Sequence, residues 1–252
     1  MAKTVSLKLK SRDNLVAFLK RFTPLQKYLL LELTPKFLIC KTNTDDRSTL
    51  KYSKLALDNI LEGTIPGDIR IPIADATKIE KLLKRFGSAD EIFVDIAYEE
   101  SSEGYFIAHP TITFKTDKLK IKLPCGDSSL VTFVSPDTLK HLVKAGSDSK
   151  EIDVPFKKEY FDEIQSLCDI DIEKEKLQFA VDTRGQFRVS GSNFDLDLDV
   201  LPAPANDVRF RIKTNQFEYI EPEISSFEIG PNYLVVRSKE SDTITLMSNI
   251  ED

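Results

Sequence analysis

Three aspartates spaced two residues apart are the part of the sequence whose possible chemistry is easiest to name. Asp195, Asp197 and Asp199 alternate with apolar residues. Side chains along a β-strand point alternately to its two faces, so the three carboxylates would share one face. Such a group could bind a divalent cation or supply an acid and a base to a reaction. No other candidate ligand or base converges on it, and we interpret the aspartates as the solvated face of an outer strand.

The histidines, cysteines and glycines give no further sign of catalysis. His109 precedes Pro110 in a predicted loop and His141 falls in a predicted helix, and neither belongs to a triad or metal-binding motif. The three cysteines are far apart and odd in number, which argues against a disulfide framework and favours a reducing cytoplasm. The nine glycines form no phosphate-binding loop. The sequence predicts a protein that is not an enzyme and uses no cofactor or metal.

Two segments repeat one pattern of apolar and basic residues. Apolar residues recur at i, i+3, i+4 and i+7 from Leu15 to Phe22 and from Ile79 to Phe86, and both segments end in Leu-Lys-Arg-Phe. This spacing predicts two amphipathic helices, each with one buried face. The basic residues fall off that face and are candidates for binding a polyanion: Lys20, Arg21, Lys78, Lys81, Lys84 and Arg85.

The charge of the chain is segregated. The formal net charge of the 252 residues is −6, but residues 11–22 and 75–87 each carry +2, so the remainder carries −10. Phosphate binding requires cations at the contact surface, and two basic helices in matching register favour a surface that faces a polyanion. The alternative is an ordinary solvated helix face, which such charges usually form.

A short strand precedes each basic helix, and the arrangement recurs in the second half of the chain. Alternating apolar residues lead into four helical segments, and Ser11 and Asp75 stand as N-caps of the first two. Strand candidates far outnumber helices and lie close enough for hairpins. The sequence therefore predicts an α+β fold of two similar domains, each an antiparallel sheet layer with two helices. No segment approaches the roughly 20 apolar residues of a membrane span.

A break in this pattern predicts the boundary between the domains. Turn-forming residues flank a helix signal with Ser135 as N-cap, Pro136 as first residue and Gly146 as stop. We place an N-terminal domain at 1–125, a connector with a short helix at 126–150 and a C-terminal domain at 151–252.

The order of these elements resembles the protomer of DNA polymerase sliding clamps, particularly the shorter bacteriophage type. Three passages carry the resemblance: Ile71-Pro72-Ile73 through Phe86, 177–181 with 186–193, and 210–213 through 229–236. The match lies in order and spacing and covers nearly the whole chain. It implies a DNA-clamp-like fold that forms a ring, with helices lining the hole and sheets outside.

The resemblance also implies a function. A two-domain protomer would form a homotrimer, and the ring would encircle duplex DNA without reading its sequence. The protein would be a processivity factor in DNA replication, with DNA polymerase and the clamp loader as partners. Its location would be the cytoplasm, or the host cytoplasm if the protein is viral.

The second half of the chain fits this picture less well. The counterparts of the basic residues there are Lys157, Lys158 and Lys213, but residues 157–168 sum to −1 and residues 212–223 to −2. A clamp should carry basic helices in both domains. The alternative is a two-domain structural or protein-interaction protein, a phage or virion component whose basic helices face solvent and bind no DNA.

A hydrophobic site near the connector, which receives a short peptide from the polymerase or the loader, is a further implication of the resemblance. The candidates are Leu130, Val131, Phe133, Val134, Leu246 and Met247. The same residues could equally form ordinary interdomain core, because apolar side chains alone do not distinguish a pocket from a core.

Overall fold

The computed structural model of the protein describes residues 3–87, 90–101, 104–130, 134–171, 173, 175–223, 226–238 and 241–250. The chain divides into two units: the first comprises Met1–Thr42 and Tyr52–Phe133, and the second Asn43–Lys51 and Val134–Asp252. Antiparallel sheets and few helices make up both units, which confirms the predicted α+β class.

The first unit is a sheet with two helices. Its elements are β1 (Lys3–Leu9), α1 (Arg12–Lys20), β2 (Leu29–Leu33), β3 (Phe37–Asn43), β4 (Thr49–Ala56), β5 (Leu61–Glu62), β6 (Ile69–Ile73), α2 (Ala76–Leu83), β7 (Phe93–Glu100), β8 (Phe106–Lys115) and β9 (Lys120–Pro124). The sheet order is β3-β2-β6-β8-β7-β1-β5, with β9 beside β8. β6 and β8 run parallel, whereas β2–β6, β7–β8 and β8–β9 are antiparallel. The β3–β4 hairpin has its tip, Asn43–Lys51, in the second unit.

Alternating side chains decide which sheet face the helices cover. In β1, Val5, Leu7 and Leu9 are buried whereas the residues between them are exposed or half-buried. Both predicted apolar stripes, Leu15 to Phe22 and Ile79 to Phe86, lie in the same buried cluster. The two amphipathic helices therefore cover one face of the sheet, as their spacing predicts.

β8 begins earlier than the sequence predicts. It starts at Phe106, so His109 lies in a strand and the predicted loop is wrong. Pro110 misled the prediction because proline cannot donate to a ladder and is usually found at edges or bulges. The pairing with β7 shifts register between Ile96 and Tyr98, which is opposite the part of β8 that contains Pro110.

The second unit consists of two strand groups and two α-helices. Its elements are α3 (Pro136–Asp148), β10 (Ile152–Pro155), α4 (Lys158–Ile170), β11 (Lys176–Val181), β12 (Gln186–Ser190), β13 (Asp195–Val200), β14 (Val208–Lys213), β15 (Ser226–Ile229), β16 (Tyr233–Ser238) and β17 (Thr243–Ser248). One group has the order β13-β12-β11-β14 and the other β10-β15-β16-β17. The short segment after β14 is a 3-10 helix, Thr214–Tyr219.

Phenylalanines dominate the core of the second unit. Phe179, Phe187, Phe210 and Phe227 are each 0% exposed, and they come from strands of both groups. α4 adds Tyr160, Ile164 and Cys168 to this core. Burial of a whole aromatic side chain stabilises a fold by roughly 1.5–3 kcal/mol, so these rings account for much of the unit's cohesion.

α3 begins as predicted but ends later. Ser135 Oγ accepts a hydrogen bond from the amide of Thr138 at 3.0 Å, and Pro136 is the first helical residue. Gly146 lies within the helix, so the predicted stop at this residue is wrong. A Cβ atom here would stand 2.7 Å from Val235 Cγ2, which is closer than packing allows. Glycine therefore serves close approach of the helix to the sheet, and not the helix end.

Candidate functional site

The two basic helices lie side by side and run in opposite directions. Arg12, at the start of α1, donates from Nη1 to the carbonyl oxygens of Phe86 at 2.9 Å and Leu83 at 3.3 Å, at the end of α2. At the other end of α1, Lys20 Nζ lies 3.4 Å from Glu80 Oε1. The guanidinium satisfies carbonyls that a helix C-terminus leaves without intrahelical partners, so Arg12 joins the two helices and caps one of them.

The N-termini of both helices are capped as the sequence predicts. Ser11 Oγ accepts from the amide of Asn14 at 3.1 Å, and Asp75 Oδ1 accepts from the amide of Thr77 at 3.0 Å. Side-chain caps of this type contribute about 1 kcal/mol each. They set where each helix begins and therefore which residues face away from the sheet.

The exposed side of the helix pair is basic. Lys20, Lys78, Lys81, Lys84 and Arg85 are all exposed, and we call these five residues the basic face. They project from two helices packed on the sheet, so their charges lie on one rigid support. No ion pair within 4.0 Å is found for Lys81 or Arg85 among the residues that the structure describes.

Glu80 is the acidic residue at the centre of the basic face. Its Oε1 lies 2.8 Å from Lys84 Nζ and 3.4 Å from Lys20 Nζ. Hydrogen bonding to Lys84, assisted by Lys20, lowers the pKa of the Glu80 carboxyl. The carboxylate holds the two ammonium groups near each other and partly neutralises them.

Arg21 is placed differently from the other cations. It is half-buried, donates from Nη1 to Ser53 Oγ at 3.1 Å and lies 6.0 Å from the centre of the Phe18 ring. These contacts hold the guanidinium against the fold. The structure therefore brings five of the six predicted cations of this unit onto one exposed surface, with Arg21 beside it.

The predicted cations of the second unit are dispersed and two of them are engaged. Lys157 Nζ lies 3.0 Å from Asp199 Oδ2, and contacts with Tyr160 and Asp199 raise the pKa of this lysine. Lys213 Nζ lies 3.0 Å from Asp46 Oδ2. Lys158 is exposed at the start of α4. These three residues do not form a continuous basic surface comparable with that of α1 and α2.

The exposed side of α4 is acidic. Its exposed charged residues are Lys158, Glu159, Asp162, Glu163 and Asp169. The acidity predicted from the sequence therefore lies on the solvent side of this helix. The exposed helix surface is therefore basic on α1 and α2 of the first unit and acidic on α4 of the second.

The three alternating aspartates belong to β13 and are engaged separately. Asp197 Oδ1 accepts from Arg188 Nε at 2.7 Å. Asp199 accepts from Lys157 Nζ at 3.0 Å, and its hydrogen bonds with Tyr160 and then Lys157 lower its pKa to about 2. Within the described residues, no group of three or more His, Cys, Asp or Glu side chains is arranged to hold a metal ion.

The predicted partner-binding residues are placed in different surroundings. Val134 and Leu246 lie together in a small buried cluster with residues of β4 and β16. Met247 is fully buried in the phenylalanine-rich core, because successive residues of β17 point to opposite faces. Val131 and Phe133 lie outside the described residues, and Leu130 lies in a 3-10 turn, Ser128–Leu130.

Sequence reasoning missed two residues of this surface. Arg12 was recognised as a charge but not as the link to α2, and Glu80 was counted but not placed between two lysines. The spacing of Glu80 and Lys84 at i and i+4 is a signal for an ion pair within α2. No local signal identifies Arg12, because its acceptors lie more than 70 residues away.

No protein-family model matches the sequence, and a comparison with curated proteins finds no match. None of the described helices is long and apolar enough to cross a membrane. Solved structures, in contrast, share the fold over nearly the whole chain. Proliferating cellular nuclear antigen from Entamoeba histolytica has a TM-score of 0.70 at 10% identity, with 100% of both chains covered.

Two further structures extend this similarity. PCNA of A. fulgidus, bound to the C-terminal region of FEN-1, has a TM-score of 0.66 at 11% identity and covers 98% of this chain and 99% of its own. The H. pylori beta clamp has a TM-score of 0.63 at 14% identity and covers 99% of this chain but 64% of its own. The chain therefore has the fold of the DNA sliding clamps.

Proposed function

We propose that the protein is a non-enzymatic sliding clamp that encircles duplex DNA and tethers a replicative polymerase. The observation that carries this proposal is the basic face: five exposed cations on two antiparallel helices of a clamp fold. Lysine and arginine attract phosphates over a long range without reading bases, which suits a protein that must slide. The remainder of the chain is acidic and would repel DNA from surfaces other than the basic face.

The assembly we propose is a homotrimer of the bacteriophage type. Residues 1–125 and 151–252 would each supply a clamp-like domain, joined by 126–150, and three chains would supply six. Lys157, Lys158 and Lys213 would complete the DNA-facing set in the second domain. The acidic side of α4 is the observation that supports the alternative, a two-domain structural or protein-interaction protein that binds no DNA.

Short peptides are the partners we propose for the apolar residues near the connector. The A. fulgidus protein is bound to the C-terminal region of FEN-1, and the H. pylori beta clamp is bound to a DNA ligase peptide. By analogy, Val134 and Leu246 with Leu130, Val131 and Phe133 would receive a segment of the polymerase or the clamp loader. Met247 would support this region from the core.

The proposal is tested by molar mass and DNA binding together. Light scattering at micromolar concentration is expected to give three times the chain mass of 28.6 kDa. Fluorescence anisotropy is expected to show weak binding to duplexes of unrelated sequence, falling steeply as salt rises. A monomer that binds no duplex at low salt would overturn the proposal.

Replacement of Glu80 by glutamine is expected to tighten duplex binding about fivefold at low salt, because one negative charge leaves the basic face. Glutamine keeps a hydrogen-bond acceptor for Lys20 and Lys84, so the helix pair should be preserved. The measurement is anisotropy with one labelled duplex. Glu99→Gln, at an exposed position of β7, is the matched control and should leave affinity unchanged. Equal affinities for the two variants would show that DNA does not approach Glu80.

A further inference from the structure

Strands β16 and β17 carry apolar residues on both of their faces. Val235 of β16 pairs with Leu246 of β17, and both lie with Leu50 of β4 in a small apolar cluster. The adjacent pair, Leu234 and Met247, belongs instead to the phenylalanine-rich core. Successive residues of a strand point to opposite faces, so the small cluster lies on the face away from that core. We call Leu50, Val235 and Leu246 the outer apolar patch.

Helix α3 lies directly on the outer apolar patch. A Cβ atom at Gly146 would stand 2.7 Å from Val235 Cγ2 and 3.1 Å from Leu246 Cδ1, so the helix backbone itself contacts the patch. Leu139 and Leu142 pack against the same cluster and are half-buried. Under this cover Val235 is 0% exposed and Leu246 5% exposed. The chain therefore covers the patch with a segment of its own.

α3 is packed less deeply than the other α-helices of the structure. All of its residues are described, and Gly146 is the only buried one. α1, α2 and α4 each insert at least three buried side chains into a core, among them Phe18, Leu83 and Ile164. Packing of an apolar face supplies most of the stability of a helix in a protein. We therefore expect α3 to be held to its sheet less strongly than the other three helices.

A polar contact joins the C-terminal end of α3 to the sheet. Ser147 Oγ donates to Glu228 Oε2 at 2.5 Å and accepts from Arg237 Nη2 at 2.9 Å. Arg237 Nε also donates to Glu228 Oε1 at 2.7 Å, within the sheet itself. A buried carboxylate is costly mainly when it loses its counter-charge. Because the arginine stays in place, release of Ser147 leaves the glutamate paired.

The two ends of α3 are arranged differently. Ser135 Oγ caps the first turn, so a local signal starts the helix without help from the patch. Beyond the C-terminal end, Glu151 N donates to Ile229 O at 2.8 Å, and β10 then pairs with β15. The chain is thus fixed to the sheet directly after the helix. This arrangement favours movement of α3 as one helix about residues 149–151.

We infer that α3 is a displaceable lid over the outer apolar patch, and that an amphipathic helix of a partner protein binds there in its place. The inference rests on the proposed function, because Leu246, which we propose for peptide binding, lies beneath α3. The partner helix would carry apolar residues at i, i+3 and i+4 and a small residue at i+7, where the backbones approach. α3 itself shows this pattern, in Leu139, Leu142, Val143 and Gly146.

The lid sets a threshold for binding. A segment tethered beside its site competes at an effective concentration on the order of 1 mM. A free peptide must therefore outcompete α3 before it reaches Leu246. Weakly binding apolar segments are excluded, whereas a partner that also holds the clamp at a second place gains access. The regulation we propose for this site is thus competition between two helices for one apolar surface.

Hydrogen exchange of the parent protein tests whether α3 opens. Amides of residues 140–148, corrected for intrinsic rates, are expected to exchange about 100-fold faster than those of β16 and β17, because α3 can open while the sheet stays folded. Mass spectrometry of peptic fragments measures both sets. Equal protection of α3 and β17 would overturn the lid, since α3 would then open only when the sheet unfolds. This measurement needs no variant.

A variant that lifts α3 tests what the patch binds. In Gly146→Leu the new side chain overlaps Val235 and Leu246, so the helix cannot lie on the sheet. The probe is a fluorescein-labelled synthetic peptide of residues 135–149. Anisotropy is expected to show that the probe binds Gly146→Leu about tenfold or more tighter than the parent, because the tethered competitor is removed.

Two further variants locate the binding of the probe. Lys140→Leu adds a leucine to the exposed side of α3 and should bind the probe no better than the parent. Gly146→Leu combined with Leu246→Ala should lose most of the gain, because the patch has lost an apolar side chain. A gain in Lys140→Leu, or a gain that persists without Leu246, would overturn the assignment of the patch. Circular dichroism melts show that each variant is folded.

The outcomes separate the lid from the proposed function. A parent protein that is trimeric and binds duplex, but whose α3 exchanges as slowly as β17, would overturn the lid alone. A monomer that binds no duplex at low salt would overturn the clamp. Exchange and probe binding are properties of a single chain, so they decide the lid in either case. Fast exchange of α3 together with probe binding that requires Leu246 is the result we expect.

Discussion

Reversal of the charge at Lys20, Lys81 and Lys84 is expected to weaken duplex binding about 100-fold or more at low salt. The three lysines are exposed, lie on a rigid helix pair and sit on one surface. Each cation that neutralises a phosphate releases about 0.9 counterion. The slope of log K against log salt concentration should therefore become less negative by up to about 3. Fluorescence anisotropy with a labelled duplex over a salt series measures both quantities.

The control carries the same change of charge at other sites. Lys36, Lys140 and Lys144 are exposed and lie outside α1 and α2. Replacement of these three residues by glutamate should reduce binding much less, because net charge acts more weakly than a local contact. Equal losses in the two triple variants would mean that DNA responds to net charge and that the basic face is not its binding surface. Processivity on a primed template, with the polymerase of the same source, should follow the same order.

Truncation of Glu221 to alanine is expected to destabilise the second unit by about 3–5 kcal/mol. Lys51 Nζ lies 3.1 Å from Glu221 Oε1 and donates to the Tyr219 carbonyl oxygen at 2.8 Å. The lysine side chain is 2% exposed and that of the glutamate 11%. Removal of the carboxylate takes a counter-charge away from a buried ammonium group, which is far more costly than loss of a surface pair. Urea unfolding followed by circular dichroism measures the change.

Two variants show whether the buried charge is the cause. Glu91→Ala breaks the Lys8–Glu91 pair, whose side chains are 38% and 66% exposed, and should cost less than about 1 kcal/mol. Lys51→Met combined with Glu221→Leu removes both charges and should recover much of the stability lost in Glu221→Ala. A double variant as unstable as Glu221→Ala would indicate that packing, and not removal of the carboxylate charge, determines the loss of stability.

Local patterns in the sequence predicted most of the elements that build the candidate site. The i, i+3, i+4, i+7 stripes identify both helices and their buried faces, and Ser11 and Asp75 identify where they begin. These features depend on neighbours within one helical turn. The prediction that α3 stops at Gly146 was wrong, because a glycine can either end a helix or allow the helix to approach a sheet closely. A glycine does not reveal by itself which of these it serves.

The sequence by itself determined the α+β class, the two amphipathic helices, the segregation of charge and the identity of the cations on the basic face. The tertiary structure decided that Arg12 caps α2, that Glu80 lies between two lysines, that Arg21 turns toward Ser53 and that residues 43–51 belong to the second unit. It also decided that, among the described residues, the lysine-rich strand β9 and the aspartate-rich strand β13 each stand at the edge of a sheet. The physical reason is the distance along the sequence between the residues that interact. Periodicity and capping are set by residues a few positions apart, whereas the partner of a long charged side chain and the neighbours of a strand come from segments tens of residues away.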